Sequence, residues 1–394
     1  MLDAYAEIYR RDLVDSVIPF WLNHSLDLEH GGFFSCLDRD GSVYDTRKYV
    51  QLQGGAVWMF SRLYHELEPR SEFQVAAKQG LDFLRRYARD PQGRVYYSLT
   101  REGLPFAFQP NPAAAVFYQL GLCEYARAMG DTSCRDEAVE LFWTINDWIH
   151  DPTLLDRPAF AGLAPLSSLA DLLVVGHMAL NLVKLVSASR YNAVMRETIE
   201  GLVRHYDSQL HVFREYVTDD GSTIDSWPES RLFNPGHSIE TAWILLQLLE
   251  HFPNWAYQQI AFDALAGSLE LGWDNECTGI RYLLDLGGKP TLQPEATMKR
   301  WKPHAEAIYA LVLAYCTTQD QYWLDWLERV HRYTYAHFVD TQHGEWFGYC
   351  HYNGELALSS KGGNDKGFFH VPRALLYSIQ TIERFRAFPA KVKV

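Results

Sequence analysis

Cysteine is scarce and scattered in this chain. Six residues (Cys36, Cys123, Cys134, Cys277, Cys316 and Cys350) are spread over 394, and no two form a CxxC pair. That argues against a cysteine zinc site and against a disulfide framework, and it suits a reducing compartment such as the cytoplasm. No stretch approaches the ~18 uncharged apolar residues that a membrane span needs. The opening run MLDAYAEIYRRDLVDSV carries charges throughout and has no apolar core, so no secretory leader is expected. Basic residues are outnumbered, 36 Lys and Arg against 49 Asp and Glu, for a formal net charge of −13. Such a chain is poorly suited to nucleic acid or to an anionic membrane surface. No GxxxxGK[ST] run occurs, so a P-loop nucleotide site is not expected.

Apolar side chains, by contrast, are plentiful. Hydrophobic residues make up 47% of the chain, which is ample for one large core, and the length suits one single-domain barrel spanning 1–394. Aromatics reach 14%, with 12 Trp and 23 Tyr. Most of these must be core, but an aromatic-lined cavity is also what a sugar ligand stacks on.

Helical periodicity predicts about twelve helices, near 2–22, 46–67, 71–89, 110–129, 133–150, 166–187, 191–207, 235–252, 254–271, 300–317, 320–337 and 368–387. Short turns such as Glu68-Pro69-Arg70 and Phe252-Pro253-Asn254 join them into antiparallel pairs, and long loops separate the pairs. Five of the long loops read as β-hairpins, starting at Gly31, Gly93, His211, Thr278 and Gly344. Their tips are Asp40-Gly41, Glu102-Gly103, Asp220-Gly221, Gly287-Gly288 and Asn353-Gly354. A sixth loop, 151–165, is Pro-rich and lacks this pattern. Six helical pairs with recurring loops predict a closed all-α toroid, an (α/α)6 barrel, in which no pair buries its apolar face alone. The long loops then share one face and feed the N-termini of the inner helices. Asn111-Pro112 and Asn234-Pro235 read as an N-cap followed by proline at the first helical position. The pocket is expected on this face, with helix N-termini directing partial positive charge into it.

Polar residues near inner-helix starts are therefore the candidates for chemistry. RLFNPGHSIETAW holds Arg231, His237, Glu240 and Trp243, with His237 and Glu240 on one helix face. KRWKPHAEAIYAL holds Lys299, Trp301, His304 and Glu306. KGGNDKGFFHVPRAL holds Lys361, Lys366, His370 and Arg373. His237 and His370 lie on different inner helices, so two imidazoles can approach one substrate from different sides. That suits proton exchange at a carbon next to a carbonyl, one histidine removing the proton and the other returning it on the opposite face. His177 is a further histidine on an inner helix.

At these residues the chain resembles the N-acylglucosamine 2-epimerase family, which also includes cellobiose 2-epimerases and aldose–ketose isomerases. The resemblance is carried by PFWLNHSLDLEHGGFFSCLDRDGSVYDT, REYVTDDGSTID, RLFNPGHSIETAW, WDNE, HAEAIYAL, GEWFGYCHYNGE and KGGNDKGFFHVPRA, from about residue 18 to residue 385. It implies an (α/α)6 barrel, with His237 and His370 as the acid/base pair and Arg231, Glu240, Trp301, His304, Glu306 and Arg373 as substrate-binding residues. It also implies a sugar substrate, no cofactor, no metal, and a homodimer. Two positions depart from the family pattern. Gly55 stands where an arginine is expected, with Arg47, Lys48 and Arg62 the neighbouring cations in sequence, and Lys302 stands where a second Trp is common. The expected activity is C2 epimerisation of an N-acylated hexosamine or related aldose. An aldose–ketose isomerase, a sugar-binding protein without catalysis, and an inverting glycosidase using carboxylates among Asp225, Glu229 and Glu306 stay open.

Overall fold

Helices follow the apolar periodicity closely. The computed structural model describes residues 2–157 and 166–387. The chain runs α1 (Leu2–Asp12), a π-helical turn (Leu13–Val17), α2 (Ile18–His24), α3 (Val50–Glu66), α4 (Ser71–Tyr87), α5 (Ala113–Met129), α6 (Thr132–His150), α7 (Leu169–Leu182), α8 (Asn192–Arg204), a single turn α9 (Pro228–Arg231), α10 (Pro235–Leu249), α11 (Trp255–Gly272), α12 (Trp301–Thr318), α13 (Gln321–His337) and α14 (His370–Ala387). This is an (α/α)6 barrel. Helices α3, α5, α7, α10, α12 and α14 form the inner ring. Helices α3, α5, α10 and α12 are buried almost all the way round, whereas α4, α8 and α13 bury one stripe only. That is the difference expected between a helix surrounded by helices and one with a face in water. One continuous apolar core reaches from Tyr5 to Ile382. No described helix is long and apolar enough to cross a membrane.

The loop face differs from expectation in two places. Three hairpins form as read: Cys36–Leu37 with Val43–Asp45, Ser98–Leu99 with Pro105–Ala107, and Tyr349–Cys350 with Leu356–Leu358. The loops at His211 and Thr278 make their tight turns, but their strands pair elsewhere. Tyr216–Thr218 joins Leu166–Ser168, and Leu284–Asp285 joins Leu232–Phe233. The reason lies in the strands that lead into inner helices, which need ladder partners for their buried backbone. Lys48–Tyr49, Leu166–Ser168, Leu232–Phe233 and Lys299–Arg300 each take a strand of the loop that follows. The loops are thus stitched to one another around the mouth of the barrel. In loop 151–165, Pro152–Leu155 forms a 3-10 turn; residues 158–165 lie outside the described residues.

A second device recurs where outer helices end. Asp27, Asp274 and Asp340 each accept backbone N–H groups two or three residues on, forming Asx turns. Each is then gripped by a fully buried lysine: Lys48 on Asp27 at 2.9 Å, Lys299 on Asp274 at 2.6 Å, and Lys361 on Asp340 at 2.9 Å. Burial raises the Asp274 carboxyl, but the bonds from Lys299 and from backbone N–H groups outweigh it and hold its pKa at about 2. Lys299, a candidate for pocket chemistry on sequence grounds, is spent here.

Candidate active site

Each of the two histidines singled out by sequence stands at an inner-helix start. Asn234 caps α10, its side chain accepting the His237 backbone N–H at 3.2 Å, with Pro235 as the first helical residue. His370 opens α14. The segment before it is pinned by lysines. Lys361 donates to the Glu345 carbonyl at 3.0 Å, and Lys366 donates to the Glu345 carboxylate at 2.9 Å and to the Lys361 carbonyl at 2.7 Å. The lysines of the KGG–K run therefore fix the approach to His370.

Both imidazoles are held in the same way. His237 Nδ1 lies 3.1 Å from both carboxylate oxygens of Glu215, and His370 Nδ1 lies 2.8 Å from Glu306 Oε1. A carboxylate only accepts, so the proton sits on Nδ1 and Nε2 is left with its lone pair. Among the described residues, neither Nε2 has a hydrogen-bond partner. Burial, and then the charge of Lys302, lower the His370 pKa to about 4 against the pull of Glu306. His370 is therefore a neutral base at physiological pH.

Behind the histidines lies an ionic cluster contributed by four inner helices. Arg373 Nη2 bridges Glu240 at 3.1 Å and Glu306 at 2.6 Å. His177 Nε2 donates to Glu240 at 3.0 Å, Lys302 Nζ reaches the other Glu240 oxygen at 3.1 Å, and Trp243 Nε1 donates to Glu306 at 3.0 Å. Burial raises Glu240, but the Lys302 charge, the His177 bond and the Arg373 charge hold it well below the usual carboxylate range. Burial also lowers the His177 pKa. With His177 and His370 neutral, the two carboxylates balance Arg373 and Lys302. Glu240, Glu306 and His370 bring ligand atoms within 4.8 Å of one another, a donor set able to hold a divalent cation. The Arg373 guanidinium already bonds both carboxylates, so these donors do not fit an additional metal ion.

Other sequence candidates are placed differently. His304 is fully buried, its Nδ1 donating to the Arg300 carbonyl at 2.7 Å and its Nε2 accepting the Ile280 N–H at 3.0 Å. Both nitrogens are taken by backbone, and burial lowers its pKa to about 3, so neither ring nitrogen faces the space between His237 and His370 as a spare donor or acceptor. Arg231 bonds Asp285 and the Asp225 carbonyl, which ties two loops together. Trp301 is buried against Tyr349 and Arg300. Gly55 is walled in by rings: a Cβ there would lie 3.2 Å from Phe369 Cβ and 3.5 Å from Phe117. Arg47 pairs with Asp45, Lys48 with Asp27, and Arg62 with Glu66 and Glu124, so none of them fills that position. Glu215 was not singled out by sequence. It lies on a loop 22 residues before His237, and no spacing rule links the two.

Fold and site together define an (α/α)6-barrel protein with two carboxylate-oriented histidines and a buried ionic cluster at its mouth, a layout for acid/base chemistry on a small ligand. The chain belongs to the N-acylglucosamine 2-epimerase (GlcNAc 2-epimerase) family, whose pattern matches residues 32–374. It is 38% identical over 386 residues to the N-acylglucosamine 2-epimerase of Bos taurus, covering 95% of this chain and 90% of that one. Cellobiose 2-epimerase from Bacillus thermoamylovorans B4167 shares the fold with a TM-score of 0.83 at 20% identity, over 96% of this chain and 99% of that one. A D-mannose isomerase shares it with a TM-score of 0.83 at 17% identity, over 95% and 98%.

Proposed function

We propose that this protein is a sugar 2-epimerase, an isomerase that inverts C2 of an N-acylated hexosamine or a related aldose through an enediolate. The observation that carries the reading is the matched pair of histidines, each with Nδ1 on a carboxylate and Nε2 unbonded. The substrate reacts in its open-chain form. Neutral His370 takes the C2 proton, and the C–H electron pair moves through C1 onto the carbonyl oxygen. Protonated His237 then donates to C2 from the opposite face as the electrons return. The exchanged state serves the reverse reaction; for another forward turnover His370 releases its proton to solvent and His237 takes one up, so no proton is gained or lost overall. The N-termini of α10 and α14 lend positive potential to the developing oxyanion. N-acylated hexosamine is favoured as substrate because the mammalian relative named for that activity aligns along 95% of the chain.

Proton NMR in D2O on N-acetylmannosamine, N-acetylglucosamine, mannose, glucose and cellobiose tests this. Loss of the C2 proton of one sugar with appearance of its C2 epimer is expected. His237→Asn and His370→Asn are each expected to lower the exchange rate by ~10²–10⁴. A ketose product would instead make the protein an aldose–ketose isomerase. Binding of a sugar without any exchange would make it a sugar-binding barrel.

A further inference from the structure

Enolisation leaves negative charge on the substrate's carbonyl oxygen, and a cation within reach of that oxygen lowers the barrier. The barrel wall formed by α3 and α5 offers none, because the space at Gly55 is occupied by Phe369 and Phe117. The loop lysines that close the mouth are buried on aspartate or glutamate. Arg373 is close to both carboxylates of the cluster and bonds each, and only 3% of its side chain is exposed. Its charge is already matched and its guanidinium is enclosed.

Lys302 is different. It is the second residue of α12, and its side chain is 27% exposed although its partner Glu240 is only 4% exposed. One contact, Nζ to Glu240 Oε2 at 3.1 Å, holds it, and among the described residues its three-donor ammonium has no other partner. The start of α12 is packed against the start of α10. A Cβ on Gly236 would lie 3.0 Å from the Pro303 ring, so Lys302 and His237 flank the same helix–helix contact. On its other side, the Lys302 charge is felt at His370.

We propose that Lys302 is a catalytic residue, the cation that receives the substrate's carbonyl oxygen between the two histidines and stabilises the enediolate. This inference rests on the epimerase reading above. The ammonium donates a hydrogen bond to the oxygen as the C2 proton leaves. It transfers no proton, and it returns to Glu240 when the product departs. Glu240, held also by Arg373 and His177, acts as the anchor from which Lys302 swings.

The test is C2 hydrogen–deuterium exchange and epimerisation kinetics for wild type, Lys302→Met, Lys302→Gln and Lys302→Arg, with folding checked by circular dichroism. Lys302→Met and Lys302→Gln are expected to lower kcat by ~10²–10³, with KM changed by less than about threefold, and Lys302→Arg to recover at least about tenfold of the loss. A second readout shows that the variant has lost the local charge rather than its fold. Around His370 stand Glu306 and Lys302 of α12, Arg373 of its own helix, Glu240 of α10 and His177 of α7. Removing the Lys302 charge leaves this group one unit more negative, so the acid limb of the kcat–pH profile is expected to move to higher pH. Lys302→Met with kcat within threefold of wild type overturns the inference while leaving the histidine chemistry standing. A wild type that exchanges no sugar overturns the epimerase reading, and this inference with it.

Discussion

His331 sits among the rings of Tyr5, Tyr9 and Tyr335, at centroid distances of 4.8, 5.7 and 4.3 Å, and its buried Nδ1 has no hydrogen-bond partner among the described residues. Burial lowers its pKa from 6.5 to about 4. The unfolded chain therefore binds a proton between about pH 6.5 and 4 that the folded chain refuses. Its contribution to stability is present above that window and is lost as the pH falls through it. His331→Phe keeps the ring stacking and removes both the orphaned nitrogen and the proton linkage. It is expected to raise Tm by ~1–3 °C at pH 7 and by more at pH 5; an unchanged pH dependence of Tm in scanning calorimetry would refute this. The same physics makes single residues hard to assign from sequence. His304 and His370 occupy similar places near inner-helix starts, yet only His370 has a nitrogen left over. The difference is made by the backbone of a distant loop at Ile280, which no local pattern reports.

At the scale of helices, Gly54 and Gly55 are adjacent in sequence and do unlike work. A Cβ on Gly54 would lie 2.3 Å from the Phe117 carbonyl oxygen, so α3 and α5 cross with their backbones in contact. Gly121 completes the crossing from the other side, its own Cβ position 3.0 Å from the Gly54 carbonyl oxygen. Gly54→Ala must push two helices apart and is expected to destabilise by ~3 kcal/mol. Gly55→Ala meets only the Phe369 and Phe117 side chains and gains ~1 kcal/mol of helix propensity, so a net change within about 1 kcal/mol is expected. Urea denaturation of the two variants checks the contrast, and equal losses would remove the proposed crossing constraint. The helices themselves were legible because their period and caps are local. At α5 the cap shifted by one residue: Asn111 still accepts the Ala113 N–H at 3.1 Å, but Pro112 occupies the cap position and the helix starts at Ala113. The hairpins were legible only in part. Strands of two or three residues take whichever partner the closed ring presents, and for the loops at His211 and Thr278 that partner lay in another loop.

For the molecule as a whole, the loop face is tied down by aspartates that buried lysines clasp. Removing one lysine strands a carboxylate in a site already paid for by desolvation. Lys299→Met leaves Asp274, 5% exposed, with two backbone N–H groups and the partly exposed Arg281 as its remaining cation among the described residues, and is expected to cost ~3 kcal/mol and to lower Tm. Calorimetry that shows Tm unchanged would mean that the clasp contributes nothing net. The clasps leave the lysine-rich runs around Lys299 and Lys361 with structural work, whereas Lys302, three residues beyond the first, lies in the site.

By itself the sequence determined the all-α barrel, the six inner helices, the face on which the loops gather, and the two histidines at helix starts. These depend on period, caps and chain order, which are properties of neighbours along the chain. Tertiary structure alone decided that Glu215 and Glu306 orient those histidines, that His304 is consumed by backbone, that Phe117 and Phe369 close the space at Gly55, and that Lys302 joins Glu240. Each of these is a contact between helices or loops tens to hundreds of residues apart. Burial and charge balance choose such partners only after the ring has closed.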